Sequence, residues 1–110
     1  MDAQARLPTH LMIDACLNQL NGKGIFYYIV QRGDPNSGII LLKVNGLEKG
    51  CKLLIQQRDL DGVLGWHNAL NDDFPPESEI DAYIERSKSR DPDLWVIEIE
   101  DRDMQNPFEV

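Results

Sequence analysis

Apolar side chains recur along the chain with two different periods. Met12, Ile13, Cys16, Leu17 and Leu20 follow a helical spacing and form one broad apolar stripe. Later segments are rich in β-branched and aromatic residues and are separated by clusters of Gly, Pro, Asn and Asp, which is typical of short strands joined by turns. The pattern predicts helices at residues 9–21 and 77–90, strands at residues 25–32, 39–45, 51–57 and 94–100, and a weaker strand at residues 63–68.

The spacing of these elements indicates how they are arranged. Short connections favour antiparallel hairpins, because a parallel crossover needs about a dozen residues or more. Residues 39–45 are apolar on both faces, which predicts a central strand. We therefore predict an α+β fold, an α/β sandwich in the order α-β-β-β-(β)-α-β. A small, mostly antiparallel sheet of four or five strands is covered by two helices.

Local signals predict where the elements and the domain end. The hydroxyl of Thr9 is predicted to cap the first helix, and Gly22 to end it. Pro92 is predicted to end the second helix, because proline disfavours helical backbone in the residue before it. A single α/β domain is expected over residues 6–103, and residues 104–110 are expected to form a loose C-terminal tail.

The closing strand combines a predicted core face with an unusual outer face. Trp95, Ile97 and Ile99 share one side of the strand, which we expect to lie in the core. Val96 then lies with the carboxylates of Glu98 and Glu100 on the other side. An apolar and acidic face of this kind suits a second helix or a partner protein.

Composition limits the class of protein. The chain has 110 residues, 42% of them hydrophobic and 27% charged, which is typical of one globular domain. It has no apolar run of roughly 20 residues that could cross a bilayer, and its start lacks the features of a secretory signal. We therefore expect a cytoplasmic protein. Cys16 and Cys51 match no metal or redox spacing and are expected to be buried thiols.

Charge is distributed unevenly along the chain. Residues 1–58 hold seven basic and four acidic side chains, whereas residues 59–110 hold four basic and fifteen acidic ones. The total of −8 argues against binding to nucleic acid or to an anionic membrane, because both need a basic surface. A partner protein with a basic face fits this distribution better.

Three segments of the chain resemble a known family. They are Gln31-Arg32-Gly33-Asp34-Pro35-Asn36-Ser37-Gly38 with the strand that follows it, Gln57-Arg58-Asp59 with Trp66, and Asp91-Pro92-Asp93-Leu94-Trp95-Val96-Ile97-Glu98-Ile99-Glu100-Asp101-Arg102 preceded by Ala82-Tyr83-Ile84-Glu85-Arg86. In this order and spacing they resemble domain-of-unknown-function family 1491, a group of small bacterial, chiefly alphaproteobacterial, proteins. The resemblance covers about residues 6–102. It implies a compact α/β domain in the bacterial cytoplasm, and it implies no reaction.

Two groups of residues are candidates for a binding site. Glu98 and Glu100 leave the same face of a strand, and paired carboxylates can bind Mg²⁺ or act as acid and base. The alternative is a solvated strand face whose acids form ion pairs with arginines elsewhere in the chain. Arg32 and a glycine-bearing loop can hold a phosphate, although Asp34 can equally bond to the backbone and start a turn.

The sequence therefore leaves two hypotheses. The first is a non-enzymatic, protein-binding or accessory domain that uses its acidic C-terminal half to bind another protein or a second copy of itself as a homodimer. The alternative is a small ligand- or metal-binding enzyme with a site formed by Arg32, Asp34, Arg58, Glu98 and Glu100. We predict no catalytic residue, because His67 is linked to no Ser or Cys nucleophile by any motif. We also predict no resident metal or cofactor, because no histidine or third ligand is fixed by spacing beside the paired carboxylates.

Overall fold

The computed structural model describes residues 7–109 of the chain. Its elements are α1 (Thr9–Lys23), β1 (Phe26–Gln31), β2 (Ile40–Asn45), a short 3-10 turn (Leu47–Lys49), β3 (Cys51–Arg58), β4 (Leu64–Asn68), α2 (Glu77–Arg90) and β5 (Trp95–Glu100). The strands form a sheet in the order β1-β5-β2-β3-β4. Only the pair of β2 and β5 is parallel. The predicted α+β fold of two helices and a mostly antiparallel sheet is confirmed.

The position of β5 corrects the expectation of a hairpin between β1 and β2. β5 lies between them, antiparallel to β1 and parallel to β2. Trp95, Val96 and Ile97 are all buried, so this strand is covered on both faces, as a central strand must be. β1 is half exposed and takes the edge of the sheet. The predicted central position of β2 and the hairpins that join β2, β3 and β4 agree with the structure.

Each helix covers one face of the sheet. On one face, Ile13, Leu17 and Leu20 of α1 pack in a cluster with Ile40, Leu42, Val44, Trp95, Ile97 and Ile99. On the other face, Ile80 and Ile84 of α2 pack in a cluster with Leu41, Cys51, Leu53, Leu94 and Val96. Burying an aliphatic side chain of this size stabilises the fold by about 1.5–3 kcal/mol. The closing strand therefore contributes to both clusters, and α2 covers its Val96 side.

The ends of the first helix differ from the prediction. Pro8 occupies the N-cap position and makes no side-chain cap hydrogen bond. The Thr9 hydroxyl donates instead to the carbonyl oxygens of Asn36 and Gly38, at 3.3 and 3.0 Å, and so ties the helix to the β1–β2 loop. The helix continues to Lys23 and ends at Gly24, which has the left-handed φ of 72° that favours glycine.

The β1–β2 loop crosses closely over the start of β5. A Cβ atom at Gly33 or at Gly38 would overlap the carbonyl oxygen of Asp93. The backbone N–H of Asp34 donates to that same oxygen at 3.0 Å. Both glycines therefore permit a close backbone approach, and this gives the glycine-bearing loop a structural role.

Residues 104–109 lie against the sheet, in contrast to the loose tail expected from the sequence. Met104 and Phe108 pack against the cluster on the α1 side, and the Phe108 ring stacks on Trp66 at 5.4 Å between centroids. Asn106 is buried, and its Oδ1 accepts a hydrogen bond from the Phe108 N–H at 2.9 Å. Within residues 7–109, neither helix combines the length and the apolar composition that a membrane crossing requires.

Candidate functional site

A buried lysine lies at the centre of a group of carboxylates on the α2 side of the sheet. The side chain of Lys43, on β2, is only 4% exposed. Its Nζ donates to Glu77 Oε2 at 2.7 Å and to Asp81 Oδ1 at 2.9 Å, one turn apart on α2. Glu98 of β5, in register with Lys43, places Oε2 3.8 Å from the same nitrogen. A single ammonium group therefore links α2 to two central strands.

These contacts shift pKa values in the directions that burial and neighbouring charge require. Burial alone would lower the pKa of Lys43, but the hydrogen bonds to Glu77 and Asp81 and the charge of Glu98 outweigh it and raise that pKa. Burial raises the pKa of Glu98; Lys43 lowers it, and the other carboxylates raise it further. Lys43 thus stays charged at neutral pH, while the negative charge of Glu98 is only partly compensated.

Two exposed aromatic rings lie beside these acids. Phe26 is in register with Glu100 and Tyr28 with Glu98 on the antiparallel pair of β1 and β5, so all four side chains share the α2 side. Phe26 is 65% exposed and Tyr28 is 60% exposed. With Ile99 they line a shallow depression of about 160 Å³.

We call the combined surface the acidic–aromatic face; its residues are Phe26, Tyr28, Glu77, Asp81, Glu98 and Glu100. α2 covers the central part of the sheet on this side, where it packs on Leu41, Leu53 and Val96. The helix leaves the outer strand β1 uncovered there, so the two rings remain in solvent. Large apolar groups beside carboxylates whose charge is only partly compensated are typical of a protein-binding surface.

The loop candidates of the sequence lie elsewhere. The Cζ of Arg32 lies 5.7 Å from the ring centroid of Trp95, a residue of the cluster on the α1 side. Asp34 Oδ2 accepts from both the N–H and the Oγ–H of Ser37 at 2.7 Å. These bonds, led by the one from the hydroxyl, lower the pKa of Asp34. The carboxylate therefore starts a turn, as one of the two interpretations predicted.

Arg58 occupies a third location, at the end of β3. Arg58 lies two residues after Gln56 on this strand, so both side chains leave the sheet on the α1 side, in a cleft near the start of α1. Its Nη1 donates to the carbonyl oxygen of Gly62 at 2.9 Å within the β3–β4 turn. The structure thus places Arg32, Asp34 and Arg58 away from Glu98 and Glu100, which face the opposite helix. It does not bring the five candidate residues into one pocket.

The pairing of the acids also differs from the prediction that arginines compensate them. Glu98 pairs with Lys43, and Arg102 pairs with Glu48 at 3.2 Å. The carboxylate of Asp101 accepts from the N–H groups of Asp103 and Gln105 and so stabilises a turn. Among residues 7–109, no group of three or more His, Cys, Asp or Glu side chains has an arrangement that could hold a metal ion.

Lys43 is not among the candidate residues expected from the sequence. The signal for Lys43 was present, since it is the one charged residue within the apolar strand Ile40–Asn45. A charge on a strand buried on both faces requires a partner. The exposure of Phe26 and Tyr28 depends on which strand forms the edge of the sheet, and local patterns do not show this.

The fold and its surface define a class of small α+β domain: two helices on opposite faces of a five-stranded sheet, with an acidic edge. The family described as "Protein of unknown function (DUF1491)" matches residues 7–109. The match covers nearly the whole chain, so the protein belongs to the DUF1491 family. The resemblance found from the sequence motifs is thereby confirmed. A search of curated proteins finds no match to the chain.

Solved structures of relatives have the same fold. A DUF1491 family protein from Caulobacter crescentus CB15 is 33% identical, and its crystal structure superposes with a TM-score of 0.80 over 93% of this chain and 94% of that one. The NMR structure of a DUF1491 family protein from the same strain gives 33% identity and a TM-score of 0.80 over 94% and 93%. Protein Atu0922 from A. tumefaciens, at 22% identity, shares the fold with a TM-score of 0.70 over 88% and 87%.

Proposed function

We propose that this protein is a non-enzymatic accessory domain that binds a basic, extended segment of another protein on its acidic–aromatic face. One observation carries the proposal. Phe26 and Tyr28 are more than half exposed on an edge strand, directly beside the carboxylates of Glu98 and Glu100. Aromatic anchors with adjacent charge are what a specific interface needs, because the rings supply buried area and the charges supply orientation.

Charge complementarity favours a basic partner. Three of the four carboxylates on this face pair with one ammonium group, and the fourth, Glu100, has no ion pair among residues 7–109. A lysine or arginine side chain placed beside Glu98 and Glu100 would relieve their mutual repulsion. A second copy of the chain would bring the same negative charges to the contact, so the proposal favours a different protein over a homodimer.

Backbone geometry favours an extended segment. In the described part of the chain, β1 pairs with β5 on one side and with no strand on the other. Its outer N–H and C=O groups can therefore pair with an added strand, a recognised mode of peptide binding. Alternate side chains of that strand would lie beside Phe26 and Tyr28, about 4.8 Å away across the new pair.

Titration with a defined peptide tests the proposal. The probe is an extended peptide with arginine and valine at alternate positions, and the matched control peptide has glutamate in place of arginine. We expect the basic peptide alone to bind, with an affinity that falls as salt is raised. Replacing Glu98 and Glu100 with Gln should weaken binding by up to about fivefold for each carboxylate, because an exposed ion pair contributes up to ~1 kcal/mol.

Control variants separate this face from general acidity. Phe26→Ser with Tyr28→Ser should abolish binding, since it removes both anchors. Phe74→Ser with Asp14→Asn removes one exposed ring and one exposed acid elsewhere on the molecule, and it should leave the affinity unchanged. Equal loss in both pairs of variants, or equal binding of the acidic control peptide, would overturn the proposal. A salt-insensitive homodimer that forms through this face would do the same.

A further inference from the structure

A cleft of about 530 Å³ lies between residues 104–109 and the outer strands of the sheet, and we call it the C-terminal cleft. Lys52 and Leu54 of β3 and Trp66 and Asn68 of β4 line it from the sheet. Leu54 and Trp66 pack against the cluster on the α1 side, and the other two lie two residues from them along the same strands, so all four share that face. The cleft is therefore on the opposite side of the sheet from the acidic–aromatic face and shares no residue with it.

The wall formed by the C-terminal segment holds a buried hydrogen-bond donor without a partner. Asn106 lines the cleft and is only 9% exposed. Its Oδ1 accepts from the Phe108 N–H at 2.9 Å, which fixes the orientation of the amide. The Nδ2 of the same amide makes no hydrogen bond with any group of residues 7–109. Because a buried donor without a partner destabilises the protein, a ligand that offers an acceptor to Nδ2 is favoured.

The attachment of the C-terminal segment allows Nδ2, which is closed off from solvent, to reach such a ligand. Within the described structure, the hydrogen bonds of residues 104–109 all stay inside residues 101–109. Side-chain packing alone holds the segment on the sheet: Met104 lies against Gly46, and the Phe108 ring stacks on β4. A small shift of the segment can therefore expose Nδ2 to the cleft without breaking a hydrogen bond to the sheet.

The charge in the C-terminal cleft favours a singly charged anion. Lys52 is half-buried, and its ammonium group forms no ion pair within residues 7–109. Among the described residues that line the cleft, the exposed Glu109 is the one acid. One lysine opposed by one acid is too little positive charge for a phosphate dianion. One ammonium group and one amide donor match the two oxygens of a carboxylate.

We infer that the C-terminal cleft binds a small organic acid through its carboxylate. The carboxylate would accept hydrogen bonds from Lys52 Nζ and Asn106 Nδ2, and the remaining atoms of the ligand would pack on Trp66 and Met104. The charge-assisted bond to the ammonium group supplies affinity. The bond to Asn106 selects for a ligand with an acceptor, because only such a ligand satisfies the buried donor.

Titration of the full chain with lactate, followed by chemical shifts of backbone and side-chain amides, tests the inference. Lactamide is a matched probe of the same size without the charge, and inorganic phosphate is a probe with more charge. We expect lactate to bind more tightly than both. The largest shifts should lie in β3, β4 and residues 104–109. The side-chain NH₂ signal of Asn106 should move with them, because this group gains an acceptor.

Variants separate the two donors from general charge. Lys52→Gln should weaken lactate binding by about fivefold, the value of a partly exposed ion pair. Lys49→Gln makes the same charge change outside the cleft and should leave the affinity unchanged. Asn106→Asp keeps an acceptor for the Phe108 N–H but removes the unpartnered donor, and it should abolish binding. Glu109→Gln should strengthen binding, because it removes a charge that repels the carboxylate.

Several outcomes would overturn the inference. They are a lack of lactate-induced shifts in the cleft, binding of lactamide or phosphate as tight as that of lactate, an equal loss of affinity in the Lys52 and Lys49 variants, and an Asn106 side-chain signal that stays in place while others move. Lys52 is half-buried and unpaired within residues 7–109, so Lys52→Gln retains the fold. The comparison with Lys49→Gln therefore stays decisive even if Asn106→Asp lowers the melting temperature.

Discussion

The network around Lys43 leads to an asymmetric prediction about stability. The lysine is buried, whereas Glu77 and Asp81 are 53% and 58% exposed. Replacing both acids with Gln and Asn leaves a buried ammonium group with only Glu98, at 3.8 Å, as a charged partner. Breaking a buried pair in this way costs about 3–5 kcal/mol, and we expect the lower end because the lost partners are half exposed.

Removal of the lysine should lower the free energy of unfolding less than replacement of the two acids does. Lys43→Met retains an apolar stem of similar length in the core and removes the buried charge, and the released carboxylates return to water. We expect a loss of about 1 kcal/mol, mostly from repulsion among the acids. Lys43→Met added to the double replacement should restore about 2 kcal/mol, because no unpaired charge is then left in the interior.

Urea unfolding at neutral pH, followed by circular dichroism, measures the free energy of unfolding of all four proteins. The four free energies form a double-mutant cycle, which gives the coupling energy between Lys43 and the two acids of α2. The cycle is valid when the slope of the free energy of unfolding against urea concentration is the same in each variant. Equal destabilisation by Lys43→Met and by the double replacement of Glu77 and Asp81 would refute this account of the buried charge. Additive losses in the triple variant would refute it equally.

Three further predictions concern single side chains. Burial and neighbouring carboxylates raise the pKa of Glu98, so its protonated form stabilises the fold at low pH and that contribution is lost as the pH rises through the raised pKa. Glu98→Gln should therefore raise the melting temperature at neutral pH and change it little below pH ~4. Burial raises the pKa of Cys16 to about 11, and Cys51 is also buried and free; a thiol reagent at neutral pH should label both only after unfolding. Phe108→Ala should cost about 2 kcal/mol in urea unfolding, roughly half the value for a fully buried ring, because it removes the stack on Trp66. An unchanged midpoint would show that the Phe108 ring does not stabilise the fold.

The elements of this fold could be predicted from local patterns, but the order of the strands could not. The second helix has the bounds expected from the sequence. The spacing of its apolar residues and the proline that ends it are local signals, which do not depend on the rest of the fold. The central position of β5 depends on which strand is apolar enough to be buried on both faces. To predict it, all strands of the chain must be compared with one another. A short loop between β1 and β2 suggested a hairpin, but this loop crosses over the start of β5 instead.

The candidate site was only partly accessible to sequence reasoning for the same reason. Glu98 and Glu100 could be identified because they are two residues apart on one strand and therefore share a face. Their neighbours Phe26 and Tyr28 come from the other end of the chain and are brought beside them by strand pairing. The five residues of the alternative site do not lie together, because Arg32 and Glu98 are on opposite faces of the sheet. The alternation of side chains along one strand does not show which of its faces matches a given face of another strand.

The most direct test of the central claim is a map of amide chemical shifts during titration with the alternating arginine and valine peptide. Binding on the acidic–aromatic face predicts that the largest shifts lie in β1, Phe26–Gln31, and in the adjacent half of β5. The shifts should disappear in the Phe26→Ser, Tyr28→Ser variant and persist in the Phe74→Ser, Asp14→Asn variant. Shifts concentrated on α1, or spread over all acidic surfaces of the molecule, would contradict the proposal.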